Sequence, residues 1–268
     1  MGLRQKMQAD DQAQPFSLKQ KKKTENATQA HCVDITAVCF DWDRTLAQVI
    51  GDVSVPERLS LLFQSEGLSF TPQQVATAID QYQADVAQKK LHFLGSPPQS
   101  QQDIMTYYAH LLRNLGMATV SQSLVERLYN GYALLPTQLY DDALPTVRAL
   151  HRRGKLLGII SNHSHSVRPI IQQMVGRYIP AERVIISQEF GVTKPTPSIF
   201  HEALRCLSVP SQQTVFVGDN LEVDAIGAVV QGGLGCGFWL DRHDMGSKRP
   251  LPPNVIRITN LRQLLEWV

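Results

Sequence analysis

Six short apolar runs, rich in β-branched residues, are the feature that most constrains how this chain can fold. They lie at 35–40, 155–161, 183–187, 214–217, 235–240 and 255–258. Helical periodicity separates many of them, as at 143–153, 197–207 and 223–231, and Asn260 is placed to begin a closing helix. Parallel strands need crossovers long enough to hold a helix, so this alternation predicts an α/β fold with a parallel sheet flanked by helices.

Residues 52–138 follow a different pattern, which is helical throughout. Thr71 and Gln74 form a capping box around Pro72, and further helices are predicted at 56–66, at 102–115 and from Ser121 or Ser123 onward. These helices interrupt the α/β pattern just after its first strand. The sequence therefore predicts a mobile polar tail at 1–30, an α/β core formed by 31–50 and 140–268, and an inserted all-helical domain at 51–139.

Reactive side chains stand where several predicted strands end. The first strand is followed by Asp41, Asp43 and Thr45, the second ends at Ser161, and the fourth is followed by Asp219 and Asp224. Lys194 lies beyond the third strand. Ligands of open parallel sheets bind at the carboxyl ends of the strands, so we expect these side chains to meet in one site.

The spacing of Asp41 and Asp43 indicates what the site binds. Residues two apart on an extended segment face the same side, so both carboxylates should reach one pocket while Trp42 faces away. Adjacent carboxylates repel each other unless a cation lies between them. With Asp219 as a further acid, the donors are all oxygens, which suits Mg²⁺.

Charge balance connects this site to phosphate. A carboxylate and a phosphate dianion at about 4 Å repel by roughly 8 kcal/mol at an effective dielectric near 20. A divalent ion and the ammonium of Lys194 bring three positive charges, enough to offset the repulsion. Ser161 would add a hydrogen bond to a phosphoryl oxygen.

Four segments stand in the order typical of one family: VCFDWDRTL, GIISN, GVTKPTPSIF and FVGDNLEVDAIGA. Over about residues 35–268 the chain resembles the haloacid dehalogenase-like (HAD) hydrolase superfamily. The match is to phosphatases with a helical C1 cap, in the branch of phosphoglycolate phosphatase and β-phosphoglucomutase. This resemblance implies a Rossmann-like sheet and makes the helical insertion a cap domain over a catalytic core.

The resemblance also implies a role for each matched residue. Asp41 would be the nucleophile that becomes phosphorylated, and Asp43 the acid that protonates the leaving oxygen and then activates water. Mg²⁺ would be held by the carboxylates of Asp41 and Asp219 and the backbone carbonyl of Asp43. Lys194 would act in catalysis and in phosphate binding, the phosphate contacts would come from Thr45, Ser161 and Asn162, and Asn220 and Asp224 would support the metal and Lys194 from behind.

The leading hypothesis is therefore a Mg²⁺-dependent hydrolysis of a small phosphate monoester. A phosphomutase acting on a sugar phosphate is the alternative within the superfamily, and a non-enzymatic phosphate-regulated binding protein is the alternative outside it. Dehalogenation fits less well, because halide displacement needs neither Asp43 as an acid nor a metal. One departure from the family pattern is Arg44, which stands where a glycine is most common.

Composition limits the classes of partner that the chain is predicted to bind. The net charge is +2 and the basic residues are scattered, so nucleic-acid binding is not predicted. No apolar stretch reaches the length of a membrane span and no secretory signal is evident, so we predict no membrane contact and a cytoplasmic location. A small phosphorylated metabolite is the expected partner, and Lys89, Lys90, His92 and the loop 93–98 of the helical insertion could select it. Oligomeric state is not predicted.

Overall fold

The computed structural model describes residues 34–51, 53–88, 90–91, 100–247 and 250–268. All of these residues fall within one unit of the chain, 31–268. The predicted tail at 1–30 and the loop 93–98 lie outside the described residues, as do Lys89 and His92. No helix in the described ranges is long and apolar enough to cross a membrane.

A six-stranded parallel sheet forms the centre of the fold, as predicted. Its strands are β1 (Ala37–Phe40), β4 (Leu156–Ser161), β5 (Val184–Ile186), β6 (Thr214–Gly218), β7 (Cys236–Leu240) and β8 (Val255–Ile258). Their spatial order is β5-β4-β1-β6-β7-β8. Phe40 pairs with Ile159 on one side and Val217 on the other, so β1 has neighbours along both edges.

Alternate residues of β1 serve two cores, which explains its uninterrupted apolar sequence. Val38 and Phe40 belong to one hydrophobic cluster, while Ala37 and Cys39 belong to another on the opposite face. A strand buried on both faces needs no polar side chain until it ends. The first polar residue is Asp41, at the carboxyl edge of the sheet.

The helices around the sheet agree broadly with the predicted ones. They are α5 (Ala143–Arg152), α6 (Arg168–Val175), α7 (Ser187–Phe190), α8 (Pro197–Leu207) and α9 (Gly227–Val230). The helix predicted at 223–231 is in fact a π-helical segment, Leu221–Ile226, that continues into α9. The closing helix, Leu261–Glu266, is 3₁₀ rather than α, although Asn260 caps it as predicted.

Four helices follow the first strand and pack around a hydrophobic cluster of their own. They are α1 (Val55–Ser65), α2 (Pro72–Ala87), α3 (Gln101–Asn114) and α4 (Gln122–Gly131). Capping boxes begin the first three, including the predicted pair of Thr71 and Gln74. The boundaries of this segment as a separate domain remain a prediction.

Two short strands join the helical segment to the sheet and were not predicted. They are β2 (Ala47–Val49) and β3 (Thr137–Leu139), which pair antiparallel. Three residues are too few to display strand periodicity. This antiparallel pair of strands places the segment that follows β1 beside the segment that leads into α5.

Close packing of β7 against the π-helical segment yields a test of the fold. A Cβ added at Gly237 would lie 2.1 Å from the backbone oxygen of Ala225. Gly237→Ala should therefore lower the free energy of unfolding, measured by urea denaturation, by about 1 to 3 kcal/mol, because overpacking destabilises a well-packed core. Gly131→Ala is the control, because its added Cβ meets only Leu62 Cδ1 at 3.7 Å. Equal stability of the two variants would contradict this packing.

Candidate active site

A buried lysine links acids from two parts of the sheet edge. The ammonium nitrogen of Lys194 lies 2.7 Å from Asp41 Oδ1 and 2.8 Å from Asp224 Oδ1. Lys194 is only 1% exposed. Burial opposes its charged form, but the carboxylates of Asp224 and Asp41 outweigh it and raise the pKa of Lys194 above its usual value. The side chain is therefore a fixed positive charge beside Asp41.

Thr45 fixes the other oxygen of the Asp41 carboxylate. Its hydroxyl donates to Asp41 Oδ2 at 3.2 Å and accepts from the backbone N–H of Asp219 at 3.1 Å. Thr45 is fully buried. Its hydroxyl connects the ends of β1 and β6 and orients Asp41, while its predicted contact with phosphate remains a prediction.

Asn162 and Asn220 are engaged with the backbone of the site. The amide of Asn162 donates to the carbonyl of Lys194 at 3.0 Å and accepts from its N–H at 2.8 Å. Asn220 Oδ1 accepts from the N–H groups of Glu222 and Val223, which caps the π-helical segment. The N–H of Asn220 also donates to Asp224 Oδ2 at 3.0 Å.

Three carboxylates lie close enough to share a cation. Oxygens of Asp41, Asp219 and Asp224 all fall within 4.8 Å of one another. Burial raises the pKa of Asp219 to about 7, with Asp41 and Asp224 adding to the rise. Burial also raises the pKa of Asp224 to about 6, although Lys194 opposes it. Crowded acids of this kind fit a hard divalent cation, and Asp224, expected only as a supporting residue, is close enough to take part.

Asp43 faces the same space as Asp41, while Trp42 packs into the core, as the two-residue spacing predicted. The Asp43 side chain is 37% exposed, and its Oδ2 lies 3.4 Å from Nε2 of the buried His163. Partial desolvation raises the pKa of Asp43, which His163 opposes and Asp41 reinforces. Asp43 is thus a partly exposed acid whose raised pKa favours its protonated form more than in a free aspartate.

A cavity of about 290 Å³ gathers these groups. Its lining includes the predicted residues Asp41, Asp43, Ser161, Asn162, Lys194, Asp219, Asn220 and Asp224. Four carboxylates and three cationic side chains line it among the described residues, which leaves one net negative charge when all are ionised. A divalent cation would reverse that sign and suit the cavity to an anion.

Comparison with known proteins identifies the family. Residues 35–232, well over half of the chain, match the sequence profile of a family described as haloacid dehalogenase-like hydrolase. The chain belongs to the haloacid dehalogenase-like hydrolase family. This confirms the predicted family and the prediction that the chain is a hydrolase.

Relatives of this HAD hydrolase include several phosphatases. Glyceraldehyde 3-phosphate phosphatase of Methanopyrus kandleri is 37% identical over 33% of this chain and 38% of its own length. Phosphoserine phosphatase of Thermus thermophilus is 30% identical over 47% of this chain and 49% of its own length. Haloacid dehalogenase-like hydrolase domain-containing protein 3 of Danio rerio is 27% identical over 84% and 93%. The first relatives are matched over less than two thirds of their own length.

Solved structures support the fold. The HAD-hydrolase YfnB of Bacillus subtilis has a TM-score of 0.66 at 19% identity, covering 87% of this chain and 97% of that one. A 2-haloacid dehalogenase of Pseudomonas syringae has a TM-score of 0.55 at 24% identity, with the same coverage. At these identities the likeness concerns the fold alone.

Arg44 is where this HAD hydrolase departs from the family pattern noted in the sequence. Its φ of 60° lies in the left-handed region that glycine adopts most easily. The loop thus keeps a backbone conformation that favours glycine, although a bulky residue occupies it. The half-exposed guanidinium lies 3.1 Å from Asp219 Oδ2, so Arg44 adds a cation to the acidic cluster.

Sequence reasoning missed two arginines at the site. Arg58, in the second turn of α1, lines the cavity and donates to Tyr132 Oη at 3.2 Å. Arg242 donates to the carbonyls of Arg44 and Thr45 at 3.2 and 2.7 Å. The only sequence signal was that Arg58 is the sole basic residue of α1, and Arg242 lies in a segment without a motif.

Arg242 holds the loop behind Asp41 through a buried ion pair. Its guanidinium makes two 3.0 Å contacts with Asp142, which also accepts from the N–H of Leu261 at 2.8 Å. The ring of Tyr140 lies 3.7 Å from the guanidinium carbon. One side chain therefore connects the loop after β1, the start of α5 and the chain after β7.

Replacing Arg242 tests this connection. Arg242→Ala leaves the carboxylate of Asp142 buried without its partner, so we expect unfolding in urea to require about 3 kcal/mol less free energy. Arg205→Ala is the control, because the pair of Arg205 with Glu202 lies at the surface and its loss should have no measurable effect. A loss for Arg242→Ala no larger than that of the control would refute the connecting role.

Proposed function

We propose that this HAD hydrolase is a Mg²⁺-dependent phosphatase that cleaves a small phosphate monoester through a phosphorylated Asp41. The observation that carries the proposal is the arrangement around Asp41. Its carboxylate is oriented by Lys194 and Thr45, and it shares a cavity with Asp43. A fixed nucleophile and a nearby acid are the two groups that a two-step displacement requires.

In the first step, an oxygen of Asp41 forms a bond to phosphorus as the bond from phosphorus to the alcohol oxygen breaks. Asp43 gives its proton to that alcohol oxygen, so the alcohol leaves neutral. Lys194 and the hydroxyl of Ser161, which lines the cavity, would stabilise charge on the transferring group. In the second step, Asp43 takes a proton from the water that releases phosphate from Asp41.

The carboxylates of Asp41 and Asp219, with Asp224 close by, would hold magnesium. The backbone carbonyl of Asp43 is the further ligand that the family resemblance implies. Magnesium held by these residues would supply two positive charges that offset the repulsion between the carboxylates and a phosphate group. Binding it would require Arg44 to share or release Asp219.

The helical segment would act as the cap. Val55, Arg58 and Leu59 from α1 line the cavity together with Tyr132, opposite the sheet edge. Enclosure by these residues would keep bulk water from the reaction. The relatives' names cover several different phosphate esters, which supports the phosphatase class and leaves the alcohol open. A small phosphorylated metabolite and a cytoplasmic setting complete the proposal.

Replacing the nucleophile is the direct test. Asp41→Asn should reduce hydrolysis of p-nitrophenyl phosphate with Mg²⁺ by roughly a thousandfold or more, because an amide cannot form the phosphorylated intermediate. Asp80→Asn, the same change on an exposed face of α2, should leave the rate unchanged. Activity that survives in Asp41→Asn would rule out the mechanism.

The mutase alternative predicts a different product. Incubation with a hexose 1-phosphate should yield free phosphate if the chain is a hydrolase, whereas an isomeric sugar phosphate would support the mutase.

Magnesium binding can be measured without activity. A ligand that binds only the folded state stabilises it by about 2.7 kcal/mol at a hundred times its dissociation constant, so Mg²⁺ should raise the melting temperature. Asp219→Asn should weaken this shift, because it removes one carboxylate of the cluster. Asp80→Asn should retain it. An undiminished shift in Asp219→Asn would place the ion elsewhere.

A further inference from the structure

A second cavity, of about 240 Å³, adjoins the first. The two share Asp43, Val55, Leu59, Tyr132 and Asn162 in their linings. Under the proposed function, Asp43 protonates the oxygen of the leaving alcohol. The rest of that alcohol must then lie beyond Asp43 on the side away from Asp41, which is where the second cavity opens.

Tyrosines dominate the lining of the second cavity. Tyr107 and Tyr108 come from α3, Tyr129 from α4, and Tyr132 from the turn that follows. Ile104 stands three and four residues before the first two, so these three side chains share one face of α3. With Val55 and Leu59, the cavity offers flat aromatic surface and aliphatic side chains, which suit the faces of a ring.

Formal charge is scarce in this lining. Among the described residues around the cavity, no lysine or arginine is present, and Asp43 is the sole carboxylate. Arg58 lines the first cavity and not the second, although it donates to the hydroxyl of Tyr132, which lines both. His163 also lines the cavity, but its Nε2 already lies 3.4 Å from Asp43 Oδ2. A carboxylate on the leaving group would thus meet Asp43 without a lysine or arginine to compensate for it.

The phenol groups stay neutral hydrogen-bonding partners. Burial raises the pKa of Tyr107, Tyr129 and Tyr132 to about 12, and that of Tyr108 well above its usual value. Neutral hydroxyls can donate to a carbonyl or accept from a hydroxyl or N–H on a ligand. They cannot replace the cation that an anionic ligand would need.

We propose that the leaving group is an uncharged, ring-bearing alcohol, such as an aryl alcohol or a nucleoside, whose ring packs against the tyrosines of the second cavity. This inference rests on the proposed function, because it assigns the alcohol to the far side of Asp43. It distinguishes this enzyme from phosphatases whose substrates are short esters that carry a carboxylate.

A substrate series on the full chain with Mg²⁺ tests the inference, with phosphate release as the readout. Benzyl phosphate and uridine 5′-monophosphate represent uncharged rings, phosphoglycolate and O-phosphoserine carry a carboxylate, phosphocholine carries a cation, and acetyl phosphate has a minimal leaving group. The better ring ester should exceed both carboxylate esters and phosphocholine at least tenfold in kcat/KM. Equal or better turnover of phosphoglycolate, phosphoserine or phosphocholine overturns the inference while leaving the phosphatase intact. No turnover of any of these compounds, including the anhydride acetyl phosphate, overturns the proposed function itself.

A charge placed in the cavity provides a matched test. Ile104→Arg should reduce kcat/KM for benzyl phosphate and raise it for phosphoglycolate, which shifts their ratio at least tenfold. Gln102→Arg puts the same charge on an exposed position of α3 and should leave the ratio unchanged. A ratio in Ile104→Arg equal to that of the control overturns the assignment. If Ile104→Arg does not fold, the substrate series on the unaltered chain still decides.

Discussion

The buried ammonium group of Lys194 is the interaction on which the rest of this site depends. A charge removed from water costs several kcal/mol unless partners satisfy it, and here Asp41 and Asp224 do so at 2.7 and 2.8 Å. Those partners arrive from the end of β1 and from the π-helical segment after β6. Breaking either contact would leave a buried charge, so the lysine holds three distant parts of the chain in one arrangement.

The local structure after β6 brings the carboxylate of Asp224 close to Lys194. A Cβ on Gly218 would lie 2.3 Å from Asp224 Oδ2, so the close approach of Asp224 to the end of β6 requires a glycine. The π-helical turn places Asp224 where it can contact Lys194 and accept from the N–H of Asn220. Single π-turns are frequent at functional sites, because they redirect a side chain that a regular helix would place elsewhere.

The sequence predicted which elements form and where their reactive residues stand, because both follow from local patterns. A buried strand that ends in Asp41 is recognisable without knowing its neighbours. Which atoms each polar side chain contacts depends on the assembled site, so these contacts were harder to predict from the sequence. The contacts predicted between phosphate and Thr45 or Asn162 remain predictions, and the sequence did not show that the Thr45 hydroxyl would contact Asp41 and Asp219 or that the Asn162 amide would contact the backbone of Lys194.

The sequence did not reveal which residues line a cavity, for a related reason. Helical periodicity places Tyr108 on an inward face, and that pattern is the same whether the face meets another helix or an open space. Helical or strand periodicity could not reveal the role of Arg242, since its partner Asp142 is 100 residues away along the chain. Contacts of such separation are set by the topology of the sheet, which brings the loops after β1 and β7 to the same edge.

Charged side chains are concentrated around the first cavity, whereas the lining of the second is largely neutral. Lys194, Arg44 and Arg58 surround the space in which the acids of the sheet edge converge, whereas tyrosines and aliphatic side chains form most of the lining of the adjoining space, with His163 beside Asp43. Asp43 lies on the boundary and belongs to both. A phosphate ester likewise carries its charge at one end, so under the proposed function the distribution of charge along the site would orient the bound ester. That orientation would present the ester oxygen to Asp43 and the phosphorus to Asp41.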